Sequence, residues 1–567
     1  MNKLYLLLVL FVFTNCKKNT EKVSKNYEAS MVDFSIFDTS IKIDSTQIIN
    51  LKNEDLKLFY RKFNYETVWL QVENRQALID EISYALEDGL DVEDYNFSKI
   101  KNFENSYNRL SEQDLIAYDI MLTNSLHDYL SHLNNGKILP ERVYTDWDIK
   151  KNYKNVNSLV INSVETSNFK ENIQNSKPTH AVYDQLKRSL RILRDLPDTK
   201  FEPFDIYSRA VVSGKSPKVI ENVKKQLMFW GDMPQSDIVT DKADKDLSSA
   251  LKAFQSRHGL KSDGAIGRGT LDALNYTRDK RIEQVIANLE RWRWFARDFG
   301  QHYILTNIPE YKLVAIKGKD TMQIQRIVVG KDTRRTPVLE SKISNINLNP
   351  NWTVPPTILA EDVFPDVLKS RSAFAKQRLK IYNWKKKEIS ASEWKMEEAD
   401  KYQYIQMPGR NNALGLMKIN FPNKYSVYMH DTNHRDFFKL NYRSLSSGCV
   451  RLEKPMEMAH YLLNDSINWP MQKIKDTTDI NYYFKLKREK EKELNKKNVE
   501  LMAKNPMLVL TPKKLKDPEL KTIIIPITEP IQIHQLYWTA WEKNGKLQFR
   551  EDIYCLDQEL YVKLRKQ

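Results

Sequence analysis

Apolar residues recur at helical spacing over the first third of the chain. In 181-AVYDQLKRSLRILRDL-196, Tyr183, Leu186, Leu190 and Leu193 fall three or four apart, on one face of a helix. The run 79-IDEISYALEDGL-90 also has helical spacing, and glycines are few between 31 and 205. These features predict a helical scaffold over 31–205 with no evident chemistry of its own. A second helical unit is predicted over 216–276. There Val219, Val223 and Leu227 share one face, and Leu247, Leu251 and Phe254 another. Gly259 suits a helix C-terminus, Asp263-Gly264 a turn, and Thr270, Leu271 and Leu274 a short restarting helix. The charged run 278-RDKRIEQVIANLERWRWF-295 is expected to be a helix linking this unit to the next.

Beyond Gln301 the texture changes to short β-branched and aromatic runs, in 303-YILTNIP-309, 311-YKLVAIKGKDTMQIQRIVVG-330 and 424-KYSVYMH-430. Lys317-Gly318-Lys319-Asp320 reads as a hairpin turn between two of them. A mainly β domain is therefore predicted over 285–475. Within it, prolines and a tryptophan-bearing helical stretch over 351–406 interrupt the strands, as an inserted lid or capping subdomain does. Residues 476–520 form a charged helical extension in which 485-KLKREKEKELNKK-497 carries Glu and Lys at helical spacing. A hairpin around Asn544-Gly545 within 521–567 is expected to return to the β domain, with Cys555 at its end. The whole is a multidomain α+β chain.

Length supports this division, because 567 residues exceed what one core holds together. Hydrophobic residues make up 41% and aromatic residues 11%, a globular composition. The net charge of +15 arises from 89 basic and 74 acidic residues interspersed along the chain. That pattern argues against one nucleic-acid-binding face. It fits attraction to anionic envelope polymers, or a solvated basic surface with no specific partner.

The opening MNKLYLLLVLFVFTNC holds Lys3 and an apolar run, Leu4 to Phe13, too short to span a bilayer. It reads as an export signal over 1–16. Cys16 resembles the lipid-attachment site of bacterial lipoproteins, although Asn15 replaces the usual small residue. A diacylglycerol and an amide-linked acyl chain there would anchor the chain to a membrane, with 17–30 as a polar tether. Ordinary secretion to the periplasm is the alternative. With Cys16 lipidated, Cys449 and Cys555 remain as free thiols or as a pair.

Cys449 sits in 443-RSLSSGCVRLEKP-455, and His430 ends a predicted strand nineteen residues upstream. A cysteine attacks carbonyls as its thiolate, which needs a proton acceptor and cationic or donor-rich surroundings. A strand ending in histidine, a loop and a Ser-Ser-Gly-Cys turn can bring imidazole and sulfur together. Gly448 allows a bend that turns the N–H groups of Gly448 and Cys449 into an oxyanion hole, and Arg451 supplies positive charge for a thiolate or a substrate carboxylate. A structural cysteine in a tight turn is the plainer reading. His430 and His434 lie four apart, but across a strand end and a polar loop and without an HExxH glutamate, so no metal is expected.

YMHDT at 428–432 with SSGCVR at 446–451 resembles the catalytic signature of the L,D-transpeptidases, the YkuD-type domain. The likeness extends through NIP..KL and IVVGK..R.TPV at 307–338, NPNWTVPPTI at 349–358, PGRNNALGLMKINFPNKYSVYMHDT at 408–432 and the YWTAW…FREDIY segment. FQ..HGL..DG.IG..T..AL within 216–276 resembles the peptidoglycan-binding three-helix module.

The resemblance implies ping-pong acyl transfer. Cys449 attacks the amide before the terminal D-alanine of a stem tetrapeptide, and His430 serves as base and then acid. A neighbouring stem's amine resolves the thioester into a 3→3 cross-link. It also implies that Asp431 orients His430 through its backbone carbonyl. Many members have histidine before Gly-Cys where this chain has Ser447, which leaves His430 as the base and lets the Ser447 hydroxyl donate to an oxyanion. Ser446, Tyr428, Thr432 and Trp352 complete the expected substrate-binding set. No cofactor is implied; the partners are peptidoglycan stems and a membrane through the lipid, with the protein a monomer in the cell envelope. The alternatives are an L,D-carboxypeptidase or endopeptidase using water, and a wall-binding scaffold without activity.

Overall fold

The computed structural model describes residues 39–150, 154–505, 507 and 509–566. The signal segment, Cys16 and the tether expected from the sequence lie outside the described residues.

The N-terminal scaffold is helical and has its own core. Its axis is the helix Glu112–Asn135, begun by a capping box in which Ser111 and Asp114 satisfy each other's backbone N–H groups. Leu122, Leu126, Tyr129 and Leu133 on that helix pack against Tyr60, Trp69, Leu78 and Tyr95. Each such buried side chain contributes roughly 1.5–3 kcal/mol. Residues Trp147–Asp148 then leave the scaffold and pair in parallel with Val338–Leu339 of the β domain.

The second unit buries both predicted helix faces in one cluster: Val219, Val223 and Leu227 meet Leu247, Leu251 and Phe254, with Leu271 and Leu274 closing it. Gly259 has φ +68°, the left-handed conformation expected just past the helix Lys245–Arg257.

Helix Arg278–Trp294, expected to be a charged connector, is instead a buried spine between the scaffold helix Ala181–Asp195 and the C-terminal helix Leu556–Arg565. Its charges are consumed internally. Arg293 pairs with Glu290 at 2.5 Å and bonds the Tyr183 hydroxyl at 3.2 Å, Glu290 accepts from the Ile138 N–H at 2.8 Å, and Arg291 pairs with Asp557 and bonds the Tyr144 hydroxyl at 2.7 Å. Burial of so many charges is tolerable because each ion meets a partner.

The β domain is one curled sheet. Its order is Trp147–Asp148, Val338–Lys342, Gln532–Leu536, His302–Asn307, Lys312–Lys317, Asp320–Gly330, Val450–Leu452, Met429–His430, Met417–Asn420, Asn345–Leu348 and Ile523–Pro526, with Ser444–Ser446 paired to Asp320–Gly330. The C-terminal segment enters the sheet, but not through the predicted hairpin. Gln532–Leu536 lies between Val338–Lys342 and His302–Asn307. The Asn544-Gly545 hairpin forms a separate pair of strands, because its Phe549 lies under the Arg281 guanidinium at 4.3 Å and beside His258 at 5.6 Å. Cys555 stands at the start of the last helix rather than at a strand end, and it and Cys449 are both free thiols.

The insertion at 351–406 is a small subdomain of four strands and short helices around Val363, Val367, Phe374, Trp394 and Tyr404. Helix Ile480–Lys504 buries no residue and carries the chain to the edge strand Ile523–Pro526.

Candidate active site

His430 and the residue after Cys449 lie on neighbouring strands. Met429 pairs with Val450 and His430 with Arg451 in parallel register, while His430 faces Lys418 across the antiparallel strand Met417–Asn420. Directly opposed residues share a sheet face, so Lys418, His430 and Arg451 form one row with the imidazole in the middle. Cys449 precedes Arg451 of this row by two residues.

The turn that presents Cys449 is tightly specified. Gly448 has φ +108°, and a Cβ there would sit 3.2 Å from the Arg335 carbonyl oxygen, so glycine is required on both counts. The Ser446 hydroxyl donates to the Cys449 carbonyl at 2.6 Å and accepts from the Gly448 N–H at 3.2 Å. The Gly448 N–H is thus engaged within the turn, contrary to the oxyanion-hole expectation, whereas the Cys449 N–H donates to no group among the described residues. Thr336 donates its hydroxyl to the Gly448 carbonyl at 2.9 Å, and its own N–H reaches the Tyr554 hydroxyl at 3.1 Å. The C-terminal segment therefore buttresses the turn.

A cleft of about 510 Å³ opens over these groups. Cys449, His430, Arg451, Tyr428, Ser446, Ser447 and Gly448 line it on the sheet side, and Trp352, Pro355, Ile358 and Asp362 of the insertion form the facing wall. One expected residue, Thr432, does not line it. Thr432 is buried and its hydroxyl accepts from the His434 N–H at 3.0 Å, because the strand ends at His430 and the alternation that would keep Thr432 on the same face stops there. The Asp431 carboxylate is buried on the other side, accepting from the Leu416 N–H at 2.9 Å and pairing with Arg435. The Asp431 main chain favours the imidazolium form of His430, yet no hydrogen bond of good geometry reaches Nδ1, which is buried without a partner. His434 is exposed and stacks on Phe437.

Electrostatics leave the pair neutral at rest. Burial, then the Arg451 charge, lowers the His430 pKa to about 3, with Lys418 acting the same way. Burial also pushes the Cys449 thiol up, against the Tyr428 N–H and hydroxyl, Lys418 and Arg451, all of which favour the thiolate. Arg451 keeps Nε and Nη1 buried with no acceptor, and burial lowers its pKa. Such donors are costly unless something meets them, and here they border the cleft.

Four residues of the site are not singled out by sequence: Lys418, Arg334, Thr336 and Tyr554. Arg334 bonds the Ser447 hydroxyl at 2.9 Å and pairs with Asp362 at 2.6 Å and with Glu361 at 2.9 Å, tying the insertion to the turn. All four fall inside the blocks that resemble the family, which is the one sequence signal that could have found them.

The fold and cleft thus define a multidomain chain whose β domain opens a thiol and an imidazole onto one cleft. Residues 301–478 match the L,D-transpeptidase catalytic domain (YkuD), 216–274 match the "Putative peptidoglycan binding domain", and 54–190 match the "Scaffold domain". A Haemophilus influenzae protein named "Putative L,D-transpeptidase" is 29% identical over 287 residues, covering 50% of this chain and 50% of that protein. The chain therefore spans about half the length of the curated relative it matches. Crystal structures of L,D-transpeptidases from Stackebrandtia nassauensis (14% identical, 47% of this chain and 90% of that one, TM-score 0.19) and Xylanimonas cellulosilytica (12%, 47% and 93%, 0.15) are also similar. The catalytic domain of this chain is of the YkuD L,D-transpeptidase family, joined to a peptidoglycan-binding domain. No helix among the described residues is long and apolar enough to cross a membrane.

Proposed function

We propose that the chain is a peptidoglycan L,D-transpeptidase that forms 3→3 cross-links through a Cys449 thioester. The observation that carries this reading is the opening of Cys449 and His430 from adjacent strand ends onto one cleft, beside the unpartnered donors of Arg451. The neutral imidazole takes the thiol proton as sulfur attacks the carbonyl carbon of the amide before the terminal D-alanine. The carbonyl π pair moves to oxygen, where the free Cys449 N–H and the Ser447 hydroxyl donate. Collapse expels the D-alanine amine, which takes the proton back from His430. An amine of a second stem then attacks the thioester, gives its proton to His430 and releases the thiolate to be reprotonated.

Arg451 fits a stem carboxylate, and the Trp352, Pro355 and Ile358 wall fits the aliphatic part of the stem. The peptidoglycan-binding domain supports a place at the cell wall, facing the periplasm. Attachment by a lipid on Cys16 and action as a monomer belong to the same reading.

Incubation of the purified protein with disaccharide-tetrapeptide, followed by mass spectrometry, tests it. Cross-linked dimer with loss of D-alanine is expected. Tripeptide alone would make water the acceptor, and no product together with no covalent carbapenem adduct at Cys449 would leave a wall-binding scaffold.

A further inference from the structure

Lys418 is a cation without an anion. It is half-buried, forms no ion pair among the described residues, and holds Nζ 3.9 Å from the centre of the Tyr428 ring. Ordinary sheet lysines extend to solvent or to a carboxylate. The register sets this one directly opposite His430, with Arg451 opposite on the other side. Tyr428 in turn stands beside the sulfur and meets the His430 ring edge to face, with centroids 5.6 Å apart. A desolvated ammonium on an aromatic face is held there by the ring quadrupole, which fixes its position without neutralising its charge.

We propose that Lys418 is a positioning residue for the acyl transfer, a fixed cation that supports the Cys449 thiolate and keeps His430 unprotonated while clamping Tyr428 against the sulfur. The inference rests on the acyl-transfer reading above. An ammonium so placed acts on both reacting groups with one sign: it stabilises negative charge on sulfur and on the oxygen of the tetrahedral adduct, and it opposes proton uptake by the imidazole before attack. Burial lowers the Lys418 pKa and Cys449 raises it, consistent with a charge that answers to the thiol. The other charged or titratable groups facing the pair are Arg451 on the neighbouring strand, Arg334 and Arg335 on the loop after Asp320–Gly330, Tyr425, Asp146, and Asp362 from the insertion.

The test is the pH dependence of Cys449 alkylation by iodoacetamide in the full-length protein, read by peptide mapping so that Cys555 is counted separately. Lys418→Met is expected to raise the apparent thiol pKa by about one unit, about a tenfold lower rate near neutral pH. Lys418→Arg is expected to return most of it, and thermal melting of both variants reports whether they fold. An unchanged pH profile in folded Lys418→Met, or an equal loss in Met and Arg variants, overturns the proposal. Thiol titration is independent of muropeptide turnover. A shifted profile in a protein that neither cross-links nor trims stems would sink the transpeptidase reading while leaving the electrostatic role of Lys418 standing.

Discussion

The spine helix Arg278–Trp294 and the row Lys418–His430–Arg451 bury similar side chains to opposite ends. Along the spine, Arg291 and Arg293 meet Asp557 and Glu290, and Arg281 bonds Gln284 and the Ala273 carbonyl, leaving Nη2 of Arg291 and Nε1 of Trp292 without a partner. In the row, Arg451 has two unpartnered nitrogens, His430 has one and Lys418 has no anion. A fold that can pair its buried charges in one place and leaves them unpaired in another marks the second place as one where a ligand supplies what is missing.

That contrast is broken most severely at the sulfur. Cys449→Ala is expected to remove muropeptide turnover by about three orders of magnitude or more while thermal melting stays near that of the parent. Arg291→Met should do the reverse. It strands Asp557 in the core and is expected to cost about 3–5 kcal/mol in denaturant unfolding, with the folded fraction still reacting at Cys449. Gly448→Ala joins the two effects, since φ +108° and the Arg335 carbonyl both oppose a Cβ; about 1–3 kcal/mol of destabilisation with displaced sulfur is expected. Arg451→Met is expected to weaken stem binding, seen as a higher KM, without lowering the melting temperature. An unfolded Arg451→Met protein would show that the row is held as structurally as the spine.

A further effect lies in pH. His430 is neutral in the fold down to about 3, whereas an unfolded histidine takes a proton below about 6.5. The unfolded state therefore binds more protons between those values, and this group's contribution to stability is intact above about 6.5 and is lost as pH falls toward 3. His430→Leu should flatten the acid side of the melting-temperature profile in that window. The same depression keeps the base unprotonated, so acylation should show no acid limb from His430 between pH 7 and 5.

The helix faces of the second unit were legible because Val219, Val223 and Leu227 state their period locally. That His430 and Cys449 would open onto one cleft was legible as a resemblance, the two being only nineteen residues apart. The spine was not, since the arginines and glutamates beside its apolar stripe of Val285, Ile286, Leu289 and Trp292 look solvated until Tyr144, Tyr183 and Asp557 are brought in from distant segments. Lys418 escaped for a related reason: only cross-strand register sets it opposite His430. Thr432, expected from the resemblance, lies past the end of its strand and turns its hydroxyl to the His434 N–H instead.

The position of Gln532–Leu536 also sets an order of assembly. Val338–Lys342 and His302–Asn307 each bond to this strand and not to one another. Until it arrives they present open edges, as they do in any fragment ending at residue 478. The sheet beside Cys449 therefore cannot close during synthesis before Gln532–Leu536 is made, and until then its open edges are the chain's aggregation risk.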